Sequence, residues 1–149
     1  MARLFVNNLT VIDFSYLDSA RGVVGESWIV DIELAGDLDE QGMVFDFGHV
    51  KKQIKQFIDC EIDHRLLVPT SSSDCHAKLE NKRCYIEFAL KSGGLISHES
   101  PQDAVLLVDS DEIDVNNVAK DLQKSVKALL PDNVTGVKIH LRNEVIEGA

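Results

Sequence analysis

The first quarter of the chain alternates apolar and polar residues with a period of two, which predicts β-strands. Residues 4–16 follow this alternation with polar interruptions, and residues 28–34 follow it more regularly. The intervening segment contains the turn-forming residues Asp18, Ser19, Gly22 and Gly25. The pattern therefore predicts two strands that pair as an antiparallel hairpin.

Two later segments have the three- and four-residue apolar spacing of amphipathic helices. The first follows Asp46, and its apolar positions are Phe47, Val50, Ile54, Phe57 and Ile58. The second follows Asp114 and stops before Pro131, and its apolar positions are Val115, Val118, Leu122, Val126 and Leu129. Because an aspartate directly precedes each helix, we expect Asp46 and Asp114 to act as N-caps.

The second half of the chain has weaker strand patterns. Residues 84–90 and 95–98 flank a Gly-Gly pair, which predicts a β-hairpin. Further strands are expected at residues 104–108 and 137–141. This order of elements predicts an α+β fold, in which two helices pack on one face of a mainly antiparallel sheet.

Length and charge restrict the class of protein. A chain of 149 residues with 44% hydrophobic residues predicts a single domain over residues 1–149. The 25 acidic and 15 basic residues give a net charge of -10, which disfavours nucleic acid as a partner. Apolar runs stay shorter than the ~20 residues that cross a bilayer, so we expect no membrane association and a cytoplasmic location. Cys60, Cys75 and Cys84 lack paired spacing, which predicts reduced thiols.

Three motifs in the middle of the chain resemble a known family. They are Gly-Met-Val-Phe-Asp-Phe at residues 42–47, Lys51-Lys52, and Asp-His-Arg-Leu-Leu at residues 63–67. In order and spacing they are similar to the central signature of the 6-pyruvoyl- and 6-carboxytetrahydropterin synthases. The resemblance implies the tunnelling fold, an antiparallel sheet backed by two helices that assembles through its strands into a ring-shaped homo-oligomer. Residues 70–108, with the predicted hairpin, then form an insertion.

Asp63 and His64 are the candidate catalytic residues. A carboxylate beside a histidine can orient the imidazole, which suits proton transfer near neutral pH. The resemblance implies that this pair takes part in a proton relay. The alternative is that His64 is a cation favoured by the C-terminus of the preceding helix.

Glu144 is the candidate ligand-binding residue. It follows the last predicted strand, where the family places a glutamate that anchors the pterin. A carboxylate can accept two parallel hydrogen bonds from the amino and ring N–H groups of a pterin. Glu147 is a competing candidate for the same role, and a solvated residue at a strand end is the alternative reading of Glu144.

The chain departs from the family at the metal site. The family binds zinc with one histidine from the first strand and a His-x-His motif on the second, but this chain has no histidine before His49. Val24 and Glu26 approximately occupy the His-x-His positions, and the family's catalytic cysteine is also missing. We therefore expect no metal site and no cofactor in this chain, although zinc is expected for the family. Cys75-His76, in a predicted loop, is a weak alternative for two ligands.

Two hypotheses of function follow. The first is a lyase or synthase acting on dihydroneopterin triphosphate, in tetrahydropterin or queuosine-precursor biosynthesis. Its metal site would come from outside this chain, for example from a second module after Ala149. The second is a degenerate, non-catalytic module that keeps the fold and serves pterin binding or oligomer assembly. Both hypotheses expect a pterin-type small molecule and further copies of the chain as partners.

Overall fold

The computed structural model describes residues 2–36 and 47–144, so the predicted cap Asp46 and the competing anchor Glu147 lie outside the described residues. Two α-helices and eight strands make up the main elements of these described residues. The helices are α1 (Phe47–Glu61) and α2 (Val115–Leu129). The strands are β1 (Ala2–Asp18), β2 (Gly22–Gly36), β3 (Leu66–Pro69), β4 (Cys75–Glu80), β5 (Arg83–Ala89), β6 (Leu95–Pro101), β7 (Val105–Val108) and β8 (Val134–Asn143).

A five-stranded sheet in the order β7-β3-β1-β2-β8 forms the centre of the fold. The β1–β2 hairpin is antiparallel, as predicted, and β8 adds to β2 in the same sense. Strand β3 pairs in parallel with both β1 and β7, so this sheet is mixed. The predicted α+β class is confirmed. Strand β7 agrees with the strand expected at residues 104–108, whereas β3 was not predicted, because four residues are too few to show a period of two.

The two helices cover one face of this sheet. Alternate residues of β2, among them Val30, Ile32 and Leu34, are buried in the same cluster as apolar residues of both helices. The intervening residues of β2 remain partly accessible on the opposite face, which we call the outer face. Because side chains alternate along a strand, the burial pattern fixes which residues lie on each face.

Within residues 70–108, three antiparallel strands form a second sheet in the order β4-β5-β6. Strands β5 and β6 confirm the predicted hairpin. Strand β4 is an addition, so Cys75 and His76 begin a strand and do not lie in the predicted loop. The second sheet packs on the first through a smaller cluster that contains Leu17, Val68 and Phe88.

Helix α2 begins as predicted. The backbone N–H of Asn117 donates a hydrogen bond to Oδ1 of Asp114 at 2.7 Å, so Asp114 is the N-cap. Residues Val118, Leu122 and Val126 of this helix are buried against the sheet. Among the described residues, no helix is long and apolar enough to cross a membrane.

Burial along α2 gives a direct test of this packing. We expect Leu122→Ala to lower the free energy of unfolding by about 2–5 kcal/mol, because the Leu122 side chain is 1% exposed and truncation leaves a cavity. Leu129→Ala is the matched control in the same helix, since Leu129 is 41% exposed, and should change that free energy by less than about 0.5 kcal/mol. Urea unfolding measures both, and equal losses would contradict the packing.

Candidate functional site

The backbone of Asp13 in β1 holds both candidate catalytic residues. The N–H of Asp13 donates a hydrogen bond to Oδ1 of Asp63 at 2.8 Å. The N–H of His64 donates to the carbonyl oxygen of Asp13 at 2.7 Å. These contacts place Asp63 and His64, which follow α1, against the middle of β1 before the chain enters β3.

The imidazole of His64 is open to solvent. Its side chain is 79% exposed, and Nε2 lies 3.4 Å from Oδ2 of Asp63. The backbone of His64 has a φ of 62°, a left-handed conformation that costs a non-glycine residue on the order of 1–3 kcal/mol. The hydrogen bond to Asp13 helps to hold that conformation. An exposed imidazole beside a carboxylate can exchange a proton with a bound molecule.

A second set of contacts continues from Asp13 across the sheet. Ser27 of β2 is the register partner of Asp13, and its hydroxyl donates a hydrogen bond to Oδ1 of Asp13. The N–H of Glu144, directly after β8, donates to the carbonyl oxygen of Ser27 at 3.2 Å. A line of contacts, which we call the polar row, thus runs from the end of β8 across β2 and β1 to the turn before β3; its members are Glu144, Ser27, Asp13, Asp63 and His64. With strands about 4.8 Å apart, it spans roughly 14 Å.

Three members of the polar row, Asp13, Ser27 and Glu144, lie on the outer face of the sheet. Asp13 alternates with buried Ile12 and Phe14, and Ser27 precedes buried Trp28. Two residues before Glu144, the guanidinium of Arg142 contacts Asp31 on the outer face at 2.8 Å. Because Glu144 continues the ladder beside Ser27, alternation directs its side chain to the same face as that of Arg142.

A concave surface adjoins the catalytic end of the polar row. Its volume is about 440 Å³. It is lined by Asp13, Phe14, Ser15, His64, Arg65, Leu66 and Ala104. The structure therefore brings Asp63 and His64 together beside a depression, while Glu144 lies at the other end of the row, reached through Ser27.

Sequence reasoning did not single out Asp13 or Ser27. Asp13 is a charged residue between two apolar residues of a predicted strand. This pattern predicts the face of the sheet on which Asp13 lies, but not which side chains of other strands lie beside it. Ser27 follows directly after the positions aligned with the family's His-x-His motif. Their pairing depends on the register of the β1–β2 hairpin, which no local pattern supplies.

The positions aligned with the zinc histidines do not fit a metal ion. Val24 is buried and pairs with Tyr16 of β1, while Glu26 pairs with Phe14. The Phe14 ring packs on Trp28, with centroids 4.6 Å apart. Burial raises the pKa of Tyr16, so its hydroxyl stays protonated. Among these mainly apolar and aromatic side chains, Glu26 supplies one carboxylate, which is fewer than the three or four nitrogen, sulfur or oxygen ligands that zinc requires.

The alternative pair Cys75-His76 does not fit zinc either. Cys75 is buried and His76 is exposed, since neighbouring residues of β4 point to opposite faces of the second sheet. Burial, with a smaller effect of Cys84, raises the pKa of the Cys75 thiol, which disfavours the thiolate that binds metal. Over residues 2–36 and 47–144, no three His, Cys, Asp or Glu side chains are grouped closely enough to hold an ion.

Comparison with known proteins gives consistent matches. The family model described as 6-pyruvoyl tetrahydropterin synthase matches residues 12–143. A Pyrococcus horikoshii protein assigned as a 6-carboxy-5,6,7,8-tetrahydropterin synthase is 23% identical over 137 residues, which cover 87% of this chain and 74% of the relative. A Methanocaldococcus jannaschii protein with the same assignment is 25% identical over 134 residues, with coverages of 86% and 78%.

Solved structures support the fold. The 6-pyruvoyltetrahydropterin synthase of Plasmodium vivax superposes with a TM-score of 0.65 at 14% identity, covering 96% of this chain and 98% of that one. The Plasmodium falciparum enzyme gives the same TM-score at 13% identity, with the same coverages. At this identity the likeness concerns the fold alone, and it confirms the predicted tunnelling fold.

The apolar cluster at the aligned zinc positions leads to a prediction about metal content. We expect the purified chain to retain zinc far below one ion per chain after dialysis, because neutral imidazoles and thiolates are missing where they would be needed. Elemental analysis before and after dialysis against a chelator measures this. One tightly held zinc ion per chain would contradict the prediction.

Proposed function

The chain belongs to the 6-pyruvoyl tetrahydropterin synthase family, and on that premise we propose that it binds a pterin of the dihydroneopterin triphosphate class along the polar row. The observation that carries the proposal is the line of contacts from Glu144 through Ser27 and Asp13 to His64. It joins a candidate anchor to a candidate proton carrier on one face of one chain. A ligand on this face would touch both ends without displacing any part of the core.

Glu144 would hold the ring of the pterin. Its side chain is exposed, and its backbone is fixed by the hydrogen bond to Ser27. An ionised carboxylate can accept the 2-amino and ring N–H groups together, and such paired, charge-assisted hydrogen bonds are strong and directional. The resemblance to the family supports the same role.

His64 would exchange a proton with the bound molecule, and Asp63 would orient its imidazole. Two contacts of Asp63 support this division of roles. Its Oδ1 is held by the N–H of Asp13, while its Oδ2 lies beside Nε2 of His64. One oxygen of the Asp63 carboxylate is thus held by the backbone of Asp13, and the other faces the imidazole of His64.

Conversion of the bound pterin would need a zinc ion, and the residues of this chain at the aligned zinc positions do not fit one. In the first version of the proposal, the protein is a lyase or synthase of tetrahydropterin or queuosine-precursor biosynthesis, with its metal site supplied from outside this chain. In the second, it is a non-catalytic module for pterin binding or assembly. The buried Val24 and the Phe14–Trp28 contact at the aligned metal positions favour the second version.

We also propose that the chain works in the cytoplasm. The three cysteines are free, with Cys60 exposed and Cys75 and Cys84 buried. Unpaired thiols of this kind are typical of reducing compartments.

Self-association through sheet edges forms the last part of the proposal. Strand β8 is an edge strand, but side chains of α2 already bind part of its backbone: Gln123 accepts from the N–H of Ile139, and Lys127 donates to the carbonyl of Val134. Residues 22–26 of β2 pair with β1 on one side and have no strand on the other among the described residues. Unpaired N–H and C=O groups of this stretch can accept a strand from another copy.

A substitution at the anchor tests pterin binding. We expect Glu144→Gln to weaken neopterin binding about ten- to a hundredfold, since it replaces a charged acceptor by a mismatched amide at a cost of about 1.5–3 kcal/mol. Glu87→Gln is the matched control, because Glu87 is an exposed glutamate of the second sheet. Calorimetric titration measures the affinities of all three proteins.

Two different outcomes would contradict pterin binding and the role of Glu144, respectively. If the unsubstituted protein shows no binding at millimolar neopterin, the pterin proposal is wrong. If it binds but Glu144→Gln has the affinity of the control, Glu144 is not the anchor and Glu147 becomes the better candidate.

A charge placed on the open stretch of β2 tests self-association. We expect light scattering at micromolar concentration to give a mass of several chains, and Val23→Lys to shift it towards the monomer. Val23 is 59% exposed, and a lysine there disfavours strand addition. Leu129→Lys, on an exposed position of α2, should leave the mass unchanged. A strict monomer for the unsubstituted protein would refute the proposal.

A further inference from the structure

Strand β4 forms an open edge of the three-stranded sheet. It pairs with β5 on one side, and on its other side it has no strand among the described residues. Its side chains from His76 to Glu80 are exposed on both faces, and Cys75 at its start is buried. Leu79 is 49% exposed, so this edge presents an apolar side chain as well as polar ones. Such an edge can take another strand, because its backbone groups and both of its faces are accessible.

The turn after β4 determines which backbone groups point to the open edge. Asn81 and Lys82 have φ values of 52° and 63°, as a two-residue type I′ turn requires, and Glu80 pairs with Arg83 across this turn. The closing pair exchanges its backbone hydrogen bonds within the hairpin, and the backbone groups of the next residue point the opposite way. The N–H and C=O groups of Leu79 therefore point away from β5, to the open edge.

The charges of β4 indicate which strand fits this edge. Lys78 and Glu80 lie on one face of the sheet, with Nζ of Lys78 3.0 Å from Oε2 of Glu80, and Leu79 points to the opposite face. If a second β4 runs antiparallel with Leu79 opposite Leu79, each Lys78 lies opposite Glu80 of the other copy. If the strands are instead centred on Lys78, two ammonium groups lie directly opposite each other, which is destabilising. The strand is therefore self-complementary about Leu79.

We propose that two copies of this chain associate by antiparallel pairing of their β4 strands about Leu79, which joins the two three-stranded sheets into one sheet of six strands. This contact is separate from the proposed pairing through residues 22–26 of β2 and does not depend on it. The two Leu79 residues exchange backbone hydrogen bonds, and the flanking pairs bring opposite charges together. A lysine on an edge strand commonly disfavours strand addition. Here, Glu80 of the second copy neutralises Lys78.

Cysteine cross-linking tests the register of this pairing. In a Cys60→Ser background, which removes the exposed thiol, we expect Leu79→Cys to form a disulfide-linked dimer under mild oxidation. The Cα atoms of a hydrogen-bonded pair lie about 5.5 Å apart, within the range of a disulfide. Ala77→Cys is the matched control on the same face of β4. In the proposed register its two copies are offset by roughly 13 Å along the strands, so they should not cross-link.

Charge reversal tests the ion pairs without a cross-link. Lys78→Glu and Glu80→Lys each place like charges opposite each other, and each should raise the dissociation constant of the dimer about tenfold or more, since two cross-strand pairs change from attraction to repulsion. The double variant restores opposite charges and should recover the original constant. Sedimentation equilibrium over a concentration series measures these constants in the Val23→Lys background, in which the β2 contact is weakened and the β4 contact should still give a dimer.

The outcomes separate this contact from the one at β2. Cross-linking of Leu79→Cys that is no faster than that of Ala77→Cys overturns pairing about Leu79, and so does faster cross-linking of Lys78→Cys. Failure of the double charge variant to recover the association overturns the ion pairs and the register that they select. A strict monomer of the Val23→Lys protein at every concentration overturns the β4 contact and leaves the β2 contact standing.

Discussion

The antiparallel register of β1 and β2 is the constraint on which the site depends. It places Ser27 opposite Asp13, and the same pairing buries alternate residues of both strands beneath the two helices. Because the side-chain period of a strand is two, a slip of one residue would move Asp13 into the core and Phe14 to the outer face. Burial of the core thus fixes the register, and the register in turn assembles the polar row.

Local patterns in the sequence predict most of the fold and only part of the site. The period of two in β2 and the helical spacing in α2 are strong signals because each is backed by a continuous buried face. Strand β3 was missed because it has four residues and takes its conformation from its neighbours β1 and β7. The adjacency of Asp63 and His64 is a property of the chain itself. The link between Asp13 and Ser27 spans the hairpin and exists only after folding.

The fold and a zinc site depend on different properties of the side chains. The tunnelling fold requires buried strand faces and two amphipathic helices, and the buried side chains of Phe14, Val24 and Trp28 satisfy that requirement around the aligned metal positions. A zinc site requires particular donor atoms, which the residues aligned with it here do not supply. Function therefore has to be argued from the side chains on the outer face, since one fold can carry several chemistries.

The most direct test of the account is to observe where a pterin binds. Backbone amide signals of the isotopically labelled protein can be followed by NMR during a titration with neopterin. The account predicts that the largest shifts fall on Asp13, Ser27, His64 and Glu144, with little change in β4, β5 and β6. Shifts centred on the three-stranded sheet, or on the buried positions around Val24, would contradict a pterin site along the polar row.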